Sequence, residues 1–223
     1  MREGGFEHSL ISRVYLFIHH MKQVNCSHYQ FQKYIDKPRM LSFWHQIDEV
    51  LSMQPESVLE VGPGPGITTD ILRKQGIKVT TVDYADDVGA DMVASVLSLP
   101  FSDGEYDVVL CCEVLEHIEF SSFRLALAEI SRVSKRGAII SLPHAGRFWP
   151  YKIYLPKIGT VGFGFDLQFF RKKHVFDGQH YWELGKRGFN LNTIKSELLH
   201  CFKSVKDFRL LDNPYHHFFH CEK

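Results

Sequence analysis

Apolar positions in the first 55 residues recur with helical spacing. Between residues 6 and 21 they fall three or four positions apart, which is typical of an amphipathic helix. A second apolar stripe follows Pro38, a favourable first position of a helix, and Pro55 ends it. The pattern predicts an N-terminal helical cap over residues 1–55.

From residue 56 to the end at 223, short apolar runs of strand type alternate with stretches of helical spacing. Such alternation is typical of a parallel sheet with helices on both faces. Asp212-Asn213-Pro214 is a turn signal between the last two runs and predicts an antiparallel hairpin at the sheet edge. We therefore predict an α/β fold with a doubly wound seven-stranded sheet, parallel except for one antiparallel C-terminal hairpin strand. The predicted strands are 58–61, 78–82, 91–96, 106–112, 137–142, 202–210 and 215–221.

Composition narrows the class of protein and its location. Apolar residues make up 44% of the 223 residues, which is ample for a packed core, and the formal net charge is zero, so charge indicates no general preference for nucleic acid. The five cysteines form no CxxC pair and no disulfide framework, which favours a reducing compartment. Neither a signal peptide nor an 18-residue apolar run is evident, so we expect a cytoplasmic protein.

A glycine-rich loop after the first predicted strand is the most distinctive stretch. Glu60 precedes three glycines that alternate with prolines, Gly62-Pro63-Gly64-Pro65-Gly66. A dinucleotide fingerprint needs a glycine three positions after the second one, where this chain has Ile67. No Gly-Lys-Ser/Thr follows, which excludes a P-loop. A carboxylate before the loop suits a ligand with cationic groups better than a pyrophosphate.

Four motifs in this order resemble class I S-adenosylmethionine-dependent methyltransferases of the small-substrate type (methyltransferase type 11-like). They are Val58-Leu59-Glu60-Val61-Gly62-x-Gly64-x-Gly66, Thr81-Val82-Asp83, Leu99-Pro100-Phe101, and Tyr106-Asp107-Val108-Val109-Leu110 leading to Glu113-Val114-Leu115-Glu116-His117. The resemblance covers about residues 56–143. It implies a Rossmann-like fold, S-adenosylmethionine as cofactor, and a methyltransferase domain over residues 56–223 with an insertion at about 144–189.

The resemblance also implies which residues contact the cofactor. Asp83, at the end of the second strand, takes the role of accepting both ribose hydroxyls. Many relatives carry an aspartate after the third strand that binds the adenine amino group, whereas this chain has Ser95 there. The predicted cofactor-binding residues are Glu60, Gly62, Pro63, Gly64, Gly66, Asp83, Tyr84, Ser95, Val96, Leu97, Cys112 and Glu113.

Methyl transfer mainly requires a nucleophile in line with the methyl group, because the sulfonium of S-adenosylmethionine is already a good leaving group. A hydroxyl nucleophile also needs a base to take its proton. His117 is the first candidate, because strand four ends beside the methyl group and the next helix begins there. His144, His180 and Tyr181 are the other predicted catalytic residues.

The insertion at 144–189 is the most individual part of the chain. It holds twelve aromatic residues, and its basic residues outnumber its acidic ones. A basic, aromatic loop at this edge suits an anionic, saccharide-linked or lipid-linked acceptor, and is compatible with contact at a membrane surface. Burial of the aromatic residues over the sheet is the alternative. The predicted substrate contacts are Trp149 and Tyr151 of the insertion and Trp44 and His45 of the cap.

Histidines near the C-terminus do not predict a metal site. Only His216 and His220 share a face of their predicted strand, and they lie roughly 13 Å apart at ordinary strand rise. Asn213-Pro214-Tyr215 is similar to an element of adenine methyltransferases, but it stands at a hairpin turn here. No metal ligand is predicted.

The sequence thus predicts methyl transfer to a small-molecule or saccharide- or lipid-linked acceptor. Two alternatives stay open: an RNA or protein methyltransferase, with nucleic acid the less favoured polymer, and a non-catalytic regulatory subunit that binds S-adenosylmethionine. Neither the acceptor nor the oligomeric state follows from the sequence.

Overall fold

The computed structural model describes Tyr29, residues 31–166 and residues 171–223. The first helix of the predicted cap, over residues 6–21, and Cys26 lie outside these ranges. No helix in the described ranges is long and apolar enough to cross a lipid bilayer.

Five α-helices are described. They are α1 (Phe31–Tyr34), α2 (Lys37–Ser52), α3 (Ile67–Lys74), α4 (Phe123–Val133) and α5 (Leu191–Cys201). The α2 helix begins after Asp36, whose side chain accepts a hydrogen bond from the Arg39 backbone N–H at 2.8 Å. Asn190 caps α5 in the same way, accepting from the Thr193 N–H at 3.0 Å. Both helices therefore begin where a side chain satisfies a terminal N–H.

The strands form one seven-stranded sheet and one separate hairpin. They are β1 (Ser57–Val61), β2 (Lys78–Asp83), β3 (Met92–Val93), β4 (Tyr106–Cys112), β5 (Ser134–Pro143), β6 (Phe148–Leu155), β7 (Gly159–Asp166), β8 (Ser204–Arg209) and β9 (His216–Glu222). The large sheet has the order β3-β2-β1-β4-β5-β9-β8, and only β9 runs antiparallel to its neighbours. The predicted fold class is confirmed.

Strand order reverses between β1 and β4, which pair with each other at the centre of the sheet. Crevices at such a switch point open at the carboxyl ends of the strands. The loops after β1 and β2 are tied together there, because the Gly62 N–H donates to the Val82 carbonyl at 2.8 Å. The predicted motifs thus meet at one edge of the sheet.

Each face of the sheet is covered by helices. On one face, α4 and α5 bury side chains such as Phe123, Leu127 and Leu198 against the strands. On the other face, Val50 of α2 and Leu72 of α3 are fully buried against β1, β4 and β5. The described part of the predicted cap therefore shares a hydrophobic core with the sheet, and the division of domains at residue 55 stays a prediction.

The buried face of α2 differs from the predicted apolar stripe. The helix buries Ser42, Phe43, Gln46 and Val50, whereas Trp44, on the predicted stripe, is 55% exposed. The physical reason is a polar contact, because the Thr68 hydroxyl donates to Gln46 Oε1 at 3.0 Å inside the fold. Apolar spacing therefore predicted Val50 of the buried face correctly but not Ser42 and Gln46.

The insertion contains a hairpin that the sequence did not predict. Strands β6 and β7 pair antiparallel, with Trp149 opposite Phe165 and Tyr151 opposite Phe163. Pro150 within β6 and the glycines of β7 are disfavoured in strands, which concealed the alternating pattern. The second half of the insertion packs onto the sheet: Trp182 is fully buried and its indole N–H donates to the Ile118 carbonyl at 3.1 Å.

Candidate active site

A cavity opens at the carboxyl edge of the sheet, over the switch point. Its walls are the loops after β1, β2, β3 and β4, the α1–α2 region and the first residue of β9. The predicted site residues that line it are Glu60, Gly62, Pro63, Gly64, Asp83, Tyr84, Ser95, Val96, Cys112, Glu113 and His117. Gly66 and Leu97 were also predicted to contact the cofactor, but neither is among the lining residues.

The glycine loop requires glycine at its first position. Gly62 has φ +73°, and a Cβ there would overlap the side chain of Val114. Gly66 has a similar φ of +75° where α3 begins, but a Cβ there would meet nothing within 4 Å. Gly62 is therefore constrained by packing as well as by backbone conformation.

Glu60 places a buried carboxylate at the end of β1. It is 4% exposed, and the Thr69 hydroxyl donates a hydrogen bond to its Oε2. Burial raises the pKa of Glu60 to about 7, against which the Thr69 hydrogen bond acts only in part. A cationic group in the cavity would favour the ionised form of Glu60.

Asp83 ends β2 with its carboxylate at the cavity wall. Its Oδ1 accepts the Ala85 backbone N–H at 2.8 Å, which orients the side chain. Burial raises the pKa of Asp83, and backbone hydrogen bonds oppose that rise. A carboxylate in this position can accept two hydroxyl hydrogen bonds from one ligand.

The adenine end of the predicted site is mainly apolar. The Ser95 hydroxyl accepts the Leu97 N–H at 3.2 Å, so it serves the local turn. Val96 is 6% exposed and lines the cavity beside Ser95. This wall offers apolar surface for a flat ring.

His117 lines another part of the cavity wall, in the segment that follows β4. Its Nδ1 is 3.0 Å from the Gln179 carbonyl oxygen, an acceptor that requires Nδ1 to carry the proton. The neutral ring then has its lone pair on Nε2. Nε2 is 3.8 Å from Oε1 of the buried Glu116.

Glu113, which also lines the cavity, adopts an uncommon backbone conformation. Its φ is +55°, a value that residues with side chains rarely adopt. The Ser141 hydroxyl donates to Glu113 Oε1 at 2.8 Å, and His216 Nε2 lies 3.7 Å from Oε2. Such strain concentrates at functional sites, where surrounding contacts hold it in place.

The structure adds lining residues that sequence reasoning missed. Tyr29, Tyr34, Arg39 and Gln46 close the cavity from the α1–α2 side, and His216 closes it from β9. The Arg39 guanidinium lies 4.1 Å above the Tyr34 ring, a cation–π arrangement. Polar residues at helical spacing, Arg39, Ser42 and Gln46, were the signal in the sequence for a polar face of α2.

Trp44 and His45 do not take the predicted place over the ligand. Neither lines the cavity, and His45 instead packs beside Phe208 and Phe218, with ring centroids 5.9 and 6.2 Å away. The reason is the rotation of α2 described above. Arg39 and Gln46 line the cavity from α2 instead of Trp44 and His45.

The other predicted catalytic residues lie behind the cavity wall. His144 is buried, with its Nδ1 3.0 Å from His217 Nδ1, and burial lowers its pKa to about 2, so it is neutral. His180 contacts the His117 ring at a centroid distance of 5.0 Å, and Tyr181 packs against Phe176 at 4.7 Å. None of these three is a lining residue.

Trp149 and Tyr151, the predicted substrate contacts of the insertion, are on strand β6. They are 52% and 47% exposed and lie outside the cavity lining. Contact of either side chain with an acceptor stays a prediction.

Comparison with known families and proteins gives an independent result. The family described as "Methyltransferase domain" matches residues 59–142. A ubiquinone biosynthesis O-methyltransferase of Rickettsia bellii is 34% identical over 99 residues, covering 38% of this chain and 40% of that protein. An uncharacterized methyltransferase of a Mycobacterium species is 33% identical over 105 residues, covering 43% and 41%. The chain thus matches less than half the length of these curated relatives.

Solved structures share the fold at low sequence identity. A 1,6-didemethyltoxoflavin-N1-methyltransferase of Burkholderia thailandensis, bound to 1,6-didemethyltoxoflavin and S-adenosylhomocysteine, has a TM-score of 0.57 at 16% identity, covering 100% of this chain and 92% of its own. The N-methyltransferase NodS of Bradyrhizobium japonicum, in complex with S-adenosylhomocysteine, has a TM-score of 0.54 at 12% identity, covering 94% and 97%. The segment from β1 to β5 is thus similar to a methyltransferase domain, and the described chain shares the fold of these methyltransferase structures.

Proposed function

We propose that this protein transfers a methyl group from S-adenosylmethionine to a hydroxyl of a small-molecule acceptor. The observation that carries the proposal is one continuous cavity with the glycine loop and Asp83 along one part of its wall and His117 along another. Donor and acceptor can therefore meet in one enclosed site.

The donor fits the residues of this cavity chemically. Asp83 would accept both ribose hydroxyls, and Glu60 would face the cationic methionine part. Gly62 allows close approach of the ligand to the backbone, since it has no Cβ. Val96 offers an apolar surface to the adenine ring. S-Adenosylmethionine supplies the activated methyl group when bound.

The acceptor reacts by in-line displacement at the methyl carbon. Its hydroxyl oxygen forms the new C–O bond as the C–S bond breaks and the electron pair goes to sulfur, giving S-adenosylhomocysteine. The hydroxyl proton goes to Nε2 of His117, which the Gln179 carbonyl orients through Nδ1. Curated relatives named ubiquinone biosynthesis O-methyltransferase support a hydroxyl as the acceptor group.

The hairpin supports an acceptor presented at a lipid surface. Alternate residues of β6 and their partners on β7 give one face made of apolar side chains. All of them are at least 38% exposed. They are Trp149, Tyr151, Ile153, Leu155, Val161, Phe163 and Phe165.

The opposite face of the hairpin contacts the body of the protein. Lys152 forms an ion pair with Asp212, and Gly162 lies against Leu211, where a Cβ would overlap. The apolar face therefore points away from the body. Lys157 lies in the turn between the two strands, and Arg171, Lys172 and Lys173, which follow the hairpin in the chain, are exposed. An anionic membrane surface complements an apolar face with a basic residue at its tip.

Labelled methyl donor tests the proposed reaction. The intact protein should move label from S-adenosylmethionine into a small organic-soluble or aqueous metabolite when incubated with fractionated extracts. His117→Ala should lower the rate by about 100-fold or more while S-adenosylhomocysteine binding is kept. Label found only in RNA or protein fractions would contradict the small-molecule acceptor.

A further inference from the structure

Glu116 is a buried carboxylate with no hydrogen-bond donor of another described residue within bonding distance. It is 0% exposed, and neither Oε1 nor Oε2 has a hydrogen-bond partner in the described ranges. Buried charged groups are normally paired or bound to a metal, because desolvation of an unpaired charge is costly. Burial, with Glu113 nearby, raises the pKa of Glu116 well above its usual range.

Two imidazoles face this carboxylate. Oε1 of Glu116 is 3.8 Å from His117 Nε2 and 4.0 Å from His180 Nε2. All three atoms lie within 4.8 Å of one another, and the two rings meet edge to face at 5.0 Å. Three groups that commonly bind metals thus converge on one point.

The second nitrogen of each ring is held as in metal-binding histidines. His117 Nδ1 donates to the Gln179 carbonyl, and His180 Nδ1 lies 3.0 Å from Glu183 Oε1. Glu183 also accepts a hydrogen bond from the Tyr215 hydroxyl at 2.9 Å. Burial alone would raise the pKa of Glu183, but these hydrogen bonds and Lys186 lower it to about 2. Outer partners of this kind fix the tautomer and direct the other nitrogen at a metal.

We propose that Glu116, His117 and His180 bind one divalent transition-metal ion of the zinc class. Two imidazoles and one carboxylate form a catalytic-type zinc set, which leaves a position open for water or substrate. A tetrahedral ion with bonds of about 2.1 Å holds its ligand atoms about 3.4 Å apart. The two separations from Glu116 Oε1 exceed that value by roughly half an ångström, a difference that small side-chain rotations remove. The sequence had predicted no metal site, because His180 joins this cluster only through the fold.

A neighbouring group, Asp177, His180 and Glu183, offers a rival position for an ion. Asp177 is exposed, and its Oδ1 already accepts the N–H groups of Gln179 and His180 at 2.9 and 2.8 Å. Glu183 is occupied by His180, Tyr215 and Lys186. The carboxylates of Asp177 and Glu183 thus have hydrogen-bond partners, whereas that of Glu116 has none among the described residues within bonding distance. The position beside Glu116 is therefore favoured for the ion.

The metal would alter how the acceptor is activated, and this consequence rests on the proposed function. His117 lines the cavity whereas Glu116 and His180 do not, so the ion would lie next to the cavity, where an acceptor could reach its open position. A bound hydroxyl loses its proton more readily because the ion stabilises the oxyanion. The proton then passes to solvent, and His117 acts as a ligand instead of as the base.

Metal titration of the chelator-stripped intact protein tests the site. Zn²⁺ should bind with a stoichiometry of one per chain by calorimetry, and Co²⁺ should give the visible absorption of a four-coordinate ion. Glu116→Gln, which keeps the shape of the side chain, and His180→Ala should each weaken binding by more than about 100-fold. Asp177→Asn and His200→Gln, the latter at an exposed helix end, should bind as the unchanged protein does.

Two results would overturn the metal site. One is the absence of stoichiometric binding by the folded protein; the other is loss of binding in Asp177→Asn but not in Glu116→Gln. Failure of the proposed function has a different signature, namely binding of one ion with no S-adenosylhomocysteine affinity. Full methyl transfer in excess chelator would show that the reaction needs no metal, and it would leave the proposed function intact.

Discussion

At the scale of single residues, the site contains three carboxyl groups whose pKa values are raised by burial. Glu60 and Asp83 both have pKa values raised by burial, and Glu116 has the same shift more strongly. A buried carboxylate favours a cationic ligand, because the ligand offsets the desolvation that raised the pKa. We therefore expect these carboxylates to become ionised when a cationic ligand binds.

Glu60 makes cofactor affinity depend on pH. Its pKa of about 7 in the ligand-free protein means that Glu60 is mostly protonated below pH 7. A cationic ligand needs the ionised form, so S-adenosylhomocysteine should bind about tenfold more weakly at pH 6 than at pH 8. Calorimetry at both pH values measures the difference. Glu60→Gln should bind weakly with little change between them; an unchanged pH slope in that variant would assign the dependence to another group.

Most residues predicted to bind the donor line the cavity, whereas few of those predicted for catalysis or the acceptor do, and the reason is physical. Glu60, Gly62, Asp83 and Ser95 lie at or just beyond the carboxyl ends of strands, and parallel strands end at one edge. His216 reaches the cavity only because β9 pairs with β5 across a long stretch of chain. No local pattern encodes such a contact.

At the scale of elements, the glycine loop and the rotation of α2 shape the cavity. The loop is constrained at Gly62 by Val114, which belongs to the segment after β4. The α2 helix turns Arg39 and Gln46 toward the cavity and leaves Trp44 exposed. The apolar spacing predicted that α2 is a helix but not which face packs, since polar contacts at the site decided that.

Two glycines of one loop provide a matched pair of variants. Gly62→Ala combines a strained φ with overlap of Val114, whereas Gly66→Ala has the strained φ alone. Gly66→Ala should lower the free energy of unfolding by about 1–2 kcal/mol, and Gly62→Ala by clearly more. Urea denaturation measures both. Equal losses would show that packing against Val114 does not constrain the loop.

The hairpin β6–β7 provides a test at the same scale. If its apolar face meets a membrane, the protein should sediment with vesicles containing phosphatidylglycerol, and the triple variant Tyr151→Ser, Ile153→Ser, Phe163→Ser should bind at least about tenfold less. Leu199→Ser, at another exposed apolar position on α5, is the control. Vesicle binding that the triple variant retains would contradict the assignment. So would a stable dimer that covers this face.

At the scale of the whole molecule, one sheet edge gathers the donor residues, a metal-type cluster and the base of the insertion. The seven strands of the large sheet were predictable because apolar runs and turn signals repeat with regular spacing along the chain. The hairpin was not predictable, since Pro150 and the glycines of β7 obscure its alternation. The least regular segment of the sequence thus forms the part of the fold that the sequence did not predict.

Calorimetric titration of the intact protein with S-adenosylhomocysteine tests the central claim most directly. We expect binding at micromolar concentration. Asp83→Ala should weaken it by at least about 100-fold, because two hydrogen bonds to a carboxylate are lost at about 1.5–3 kcal/mol each. Asp86→Ala, an exposed position on the same loop that does not line the cavity, should bind normally. No binding by the unchanged, folded protein would contradict the account.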